Sequence, residues 1–176
     1  MKKSVGLAIS VGCLACGIVI GIGASKEKPP GLDNMRGRPP AEAGAAALQE
    51  AERLAGKGTW ELLGVARVYY LSGDKTKGQA LIDKVLSEKV NGSDWQRIGQ
   101  IYADAGENAK AESYFQKVLA ADPKDDTGQA EIGAWYIHIG QREKGEELLG
   151  KAIARHPDEV WHYVRAGEGY LGVSPR

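Results

Sequence analysis

Four tyrosines, Tyr69, Tyr102, Tyr136 and Tyr170, fall 33, 34 and 34 residues apart in a chain of 176 residues. Their surroundings recur with them. Three residues before each stands a small residue (Ala66, Gly99, Gly133, Gly167), preceded by Val65, Ile98, Ile132 and Ala166. Nine residues after the first three come Gly78, Ala111 and Gly145, and four further on Ile82, Phe115 and Leu149. A period of about 34 that repeats side-chain size marks one helical hairpin copied along the chain, each copy burying its face against the next. Small residues such as Gly99 and Ala111 let two antiparallel helices approach, while Tyr102 and Phe115 fill the space between layers.

The punctuation fits the same plan. Gly73, Gly106 and Gly140 fall where the first helix of each pair must stop, and glycine tolerates the left-handed conformation of such a stop. Asp122-Pro123 and His156-Pro157 close second helices, because proline cannot continue the backbone bonding. Ser93 with Gln96 three places later reads as a capping box. Helix breaks are expected near residues 57, 73, 91, 106, 124, 140 and 157. Residues 41–55 place Leu48 and Ala51 as a second helix would, and residues 159–172 form a first helix with no partner after it. The expectation is an all-α chain of about eight helices.

Over residues 41–172 the pattern resembles the tetratricopeptide repeat family. Asp126 to Glu159 is the nearest copy, with Ile132, Gly133, Tyr136, Gly145, Leu149, Ala152 and Pro157 at the family's spacing. Gly92 to Asp125 adds the family's tryptophan at Trp95. Thr59 to Asn91 is looser, with Trp60 two places early, Leu62 in the tryptophan position and Val90 in place of the terminal proline. The resemblance implies a right-handed helical-hairpin solenoid of three full units with a half-repeat at each end. It also implies a non-enzymatic role in protein–protein contact, through a concave surface lined by the first helix of each pair.

Mapped onto this sequence, the inward positions are Trp60, Leu63, Arg67, Tyr70, then Gln96, Arg97, Gln100, Asp104, and then Glu131, Ala134, Ile137, His138. The last first-helix adds Trp161, Val164, Arg165 and Glu168. Trp60, Arg67, Tyr70, Arg97, Gln100, Glu131, His138, Trp161 and Arg165 are the candidate partner-binding residues. Arg67 and Arg97 are expected to face each other as a cationic spot for an acidic peptide group, with Tyr70 and Trp60 as apolar anchors. Some members of the family grip a C-terminal carboxylate with a lysine and asparagine clamp. Here those places hold Leu63, Arg67, Arg97, Thr127 and Glu131, which argues against that ligand.

The N-terminus carries a separate signal. Lys2 and Lys3 precede Val5 to Ala24, twenty residues without a charge. A basic start and an apolar run read as an export signal, with Ala24 as the small residue at a cleavage site. The same length spans a bilayer as an uncleaved anchor. Basic residues number two before the run and four after it (Lys26, Lys28, Arg36, Arg38), so charge alone does not favour export. The short N-terminal stub resembles an ordinary signal, and export is the reading taken. Leu14-Ala15-Cys16-Gly17 resembles part of a bacterial lipoprotein signal, which makes Cys16 a candidate lipid-attachment residue, although Cys13 stands where an aliphatic residue is usual. The organisation expected is a signal or anchor at 1–24, a stiff extended spacer at 25–40 with Pro29-Pro30 and Pro39-Pro40, a solenoid at 41–172 and a tail at 173–176. The expected location is the periplasmic face of a bacterial inner membrane, or the periplasm after cleavage.

Other chemistries find little support. Residues 39–176 hold 17 basic against 21 acidic residues, a poor footprint for nucleic acid. His138, His156 and His162 are the only histidines, and they read as solvent-facing rather than as ligands. Asp125-Asp126 and Glu146-Glu147 read as helix-start charges and a solvated face, not as paired general acids. No catalytic residue, metal site or cofactor is expected. Two function classes remain. One is an envelope scaffold that binds a partner segment; similarity to envelope members of the family suggests pilus assembly, cytochrome maturation or outer-membrane biogenesis, the last in the manner of a lipoprotein assembly factor. The other is a structural homo-oligomer stacking through its C-terminal helix, where Trp161, Tyr163, Val164 and Leu171 are too many to fit under one contact.

Overall fold

The computed structural model describes residues 31–176. The apolar run with Cys13 and Cys16, and the first part of the spacer, lie outside the described residues. A 3-10 turn at Leu32–Asn34 precedes eight α-helices: α1 (Pro40–Ala55), α2 (Thr59–Leu71), α3 (Lys75–Leu86), α4 (Gly92–Asp104), α5 (Asn108–Ala121), α6 (Asp126–His138), α7 (Arg142–Arg155) and α8 (Val160–Leu171). All seven expected breaks fall between helices. The spacer differs from expectation where it is described: it carries the 3-10 turn and a left-handed Gly37 rather than a uniformly extended chain. Pro40 opens α1, where its missing N–H costs nothing.

The hairpins α2–α3, α4–α5 and α6–α7 are the repeating unit, and they stack into a helical-hairpin solenoid with α1 and α8 as half-repeats. The first helices end on the glycines the period demanded. Gly106 and Gly140 have φ of 73° and 87°, which lets the next N–H turn back. Glu107 N–H donates to the Tyr102 carbonyl at 2.8 Å and Gln141 N–H to the Tyr136 carbonyl at 2.7 Å. Tyr102 and Tyr136 thus also supply the carbonyls that close the helix stop. At the start of α4 the capping box belongs to Asn91 and Asp94, which exchange side-chain-to-backbone bonds of 3.2 and 3.0 Å, not to Ser93 and Gln96. The helix begins two residues earlier than the Ser93 reading requires, at Gly92. Gln96 instead faces the concave side and bonds Glu131.

A continuous core runs through the hairpins, with Leu62, Leu63, Ile82, Ile98, Ile101, Phe115, Ile132 and Trp135 almost wholly buried. Aromatic rings carry it from layer to layer. Tyr70 meets Tyr102 edge-on at 5.6 Å, and Phe115 meets Trp135 at 6.1 Å and Tyr136 at 5.8 Å. Polar clasps on the opposite edge join successive repeats. Glu107 accepts from Lys110, Lys75 and Tyr70, which hold its carboxyl down to about 2. Glu112 accepts from Lys144 and Gln141 between the second and third units, and its carboxyl is lowered for the same reason.

The last helix departs from the period. Its close approach to α6 is made by Gly169, where a Cβ would sit 2.9 Å from the Ala134 carbonyl oxygen, and not by Gly167, which has open space beside it. His162, one face away from solvent, is 2% exposed, so the solvent-facing reading fails for it. The reason is that α8 packs against α6, and His162 lies beside Thr127 and Ala130 of that helix. Trp161, Tyr163, Val164 and Leu171 are left exposed, and Tyr170, though in register, is half exposed with its hydroxyl on Glu146. Among the described residues no helix is long and apolar enough to cross a membrane.

Candidate binding groove

Side chains from α2, α4 and α6 enclose a concave groove of about 410 Å³. Trp60 and Arg67 come from α2, Ser93, Gln96, Arg97, Gln100 and Asp104 from α4, and Glu131 and Trp135 from α6. First helices line it because the second helices cover their other faces, leaving one stripe per repeat without an apolar neighbour. Five of the candidate residues are therefore brought together: Trp60, Arg67, Arg97, Gln100 and Glu131. The other four are not. Tyr70 is buried in the core with its hydroxyl on Glu107. His138 stands edge-on to Trp135 at 5.4 Å, away from the groove lining. Trp161 and Arg165 border a smaller neighbouring depression with Thr127, Glu131 and His162.

Charge in the groove is arranged unevenly. Arg67 donates twice to the Asp104 Oδ2 atom, at 3.1 and 2.9 Å, so its charge is already matched. Glu131 is matched as well, accepting from Arg165 at 3.1 Å and from Gln96. Burial opposes the charge on Arg165, but bonds to Glu168 and Glu131 raise its pKa overall. Arg97 differs. Its guanidinium lies 3.4 Å from the ring centre of Trp60, a stacking contact, and it makes no ion pair among the described residues. Burial, followed by the nearby guanidinium groups of Arg67 and Arg176, lowers its pKa. The expected pair of facing arginines is thus one matched and one unmatched guanidinium.

Six lining residues were not among the candidates: Gln96 and Asp104, which were mapped inward, and Ser93, Trp135, Pro175 and Arg176. Trp135 forms the floor at 1% exposure, and its Nε1 has no hydrogen-bond partner among the described residues. It stands directly before the register tyrosine Tyr136, a position held by Val68, Ile101 and Gly169 in the other copies, so the period gave no sign of an aromatic floor there. Pro175 and Arg176 come from the segment after α8, which no periodicity could have placed. No group of three or more His, Cys, Asp or Glu residues that could hold a metal occurs among the described residues.

Residues 102–167, from the last turn of α4 into α8, match the tetratricopeptide repeat family model. That part of the chain is similar to tetratricopeptide repeats, which fits the helical-hairpin stacking described above. No curated protein and no solved structure matched the chain.

Proposed function

We propose that this chain is a non-catalytic scaffold whose concave groove holds an extended segment of a partner protein, with an acidic group of that segment against Arg97. The observation that carries the reading is the unmatched Arg97 guanidinium on the exposed face of Trp60. It offers planar donors and an aromatic platform at the mouth of a groove whose other charges are internally matched. An acid arriving there relieves the repulsion from Arg67 and Arg176. The proposed setting is the bacterial envelope, on the strength of Lys2, Lys3 and the uncharged run Val5 to Ala24, with the solenoid on the periplasmic side.

Affinity capture from solubilised bacterial membranes tests this. Trp60→Ala with Arg97→Ala removes platform and charge at sites that are not core, so the melting temperature should move little while capture of the partner falls about ten-fold or more. Unchanged capture would place binding outside the groove. A second reading, self-association through α8, is favoured by the apolar surface left there, with Val160, Trp161 and Leu171 each more than half exposed. Loss of self-capture on Trp161→Glu, with the groove variant inert, would select that reading.

A further inference from the structure

The groove is not vacant of peptide: the chain's own segment after α8 lies in it. Gly172 takes a left-handed φ of 71°, and the Val173 N–H donates to the Glu168 carbonyl at 2.9 Å, which ends α8 and turns the chain toward the concave face. Ser174 Oγ then donates to Asp104 Oδ1 at 2.8 Å, on the carboxylate whose other oxygen holds Arg67. Pro175 is fully buried among the groove residues. Arg176 brings its guanidinium within 3.7 Å of the same Asp104 carboxylate. Asp104 therefore reads a hydroxyl and a cation on either side of a buried proline.

We propose that Val173–Arg176 is a tethered occupant of the groove, standing where a partner segment of the order hydroxyl residue, proline, cation docks, and that such a segment displaces it. The proposal rests on the groove reading above and adds the partner's chemistry and a built-in competitor. A proline suits the place because its backbone is already restricted, so little freedom is lost on docking. The occupant satisfies the groove only in part. Among the described residues Trp135 Nε1 finds no acceptor and Arg97 no acid. A longer segment that gives a backbone carbonyl to the indole and a carboxylate to Arg97 meets both needs, which is how a free ligand overcomes a tethered one. Tethering sets an effective concentration on the order of millimolar, enough to suppress a weak ligand about ten-fold.

The test uses the full chain in detergent and a labelled, N-acetylated and C-amidated peptide of residues 171–176, followed by fluorescence anisotropy. Replacing Ser174, Pro175 and Arg176 together with glycine keeps the chain length and removes the occupant's contacts. The probe is expected to bind this variant about ten-fold more tightly than the intact chain. Adding Asp104→Asn should remove that gain, and a probe with alanine for its proline should bind weakly. Equal affinity for intact and glycine-substituted chains overturns the proposal, as does absence of binding to both. So does a glycine variant that only lowers the melting temperature, which would make the segment a structural strap. If the probe fails while partner capture still depends on Trp60 and Arg97, the groove reading stands and the tethered occupant alone falls.

Discussion

Replacing Phe115 with alanine is expected to cost about 3–5 kcal/mol, the range for emptying a fully buried aromatic site. Phe115 is completely buried on α5 and meets both α4 and α6. Its ring lies 2.6 Å from where a Cβ on Gly99 of α4 would sit, and it meets both Trp135 and Tyr136 of α6. Alanine removes the aromatic contact between the second hairpin and the third. Neighbouring helices are held by their own hairpin partners, so they cannot close over the space. Urea unfolding of a fragment comprising residues 31–176, followed by circular dichroism, should show the midpoint falling steeply. A loss under about 1 kcal/mol would mean the layers do not meet through this ring.

A matched pair of glycine substitutions on α7 should act in opposite directions. At Gly145 a Cβ would meet the Gly133 carbonyl oxygen and would lie 3.0 Å from the Ile137 nitrogen, both backbone atoms of α6. Backbone cannot rotate aside as a side chain can, so Gly145→Ala forces the two helices apart at a cost of about 1–3 kcal/mol. Gly150 lies five residues on in the same helix, exposed, with nothing within 4 Å of its Cβ position. Gly150→Ala should gain about 0.5–1 kcal/mol from helix propensity alone. Thermal melts of the two variants should therefore bracket the parent. Shifts of the same sign would show that close backbone approach is not why position 145 is glycine.

The scaffold was legible because its information is periodic. Tyr102 and Tyr136 announce both the layer filling and the helix stop four residues later, and the same spacing recurs for Tyr69 and Gly73. Where the period breaks, legibility went with it. After Tyr170 the glycine comes two residues on, at Gly172, rather than four, so α8 stops early and the chain turns inward. That departure was visible in the letters, but its consequence depends on Asp104, which is 70 residues from Ser174 in sequence. The groove was legible in part for a related reason. Helical spacing identifies the face that Arg67, Arg97 and Gln100 share, but not which arginine Asp104 neutralises. Tyr70 misses the groove by one residue of helical phase, about 100° of rotation, which separates a groove wall from a core. His138 shares the repeat position of Asp104 and is turned instead onto the Trp135 ring. The Asn91–Asp94 cap was missed because Ser93–Gln96 offered the same spacing two residues later.

The central claim is that the concave face, rather than the convex face or the α8 edge, meets the partner. A photo-crosslinking side chain placed singly at Gln100 in the groove, at Lys117 on the exposed side of α5 or at Val160 on the α8 edge tests it directly in whole cells. A single heterologous adduct is expected from position 100, weakened by Trp60→Ala with Arg97→Ala, and no such adduct from position 117. Adducts from position 117 or 160 with none from position 100 would contradict it.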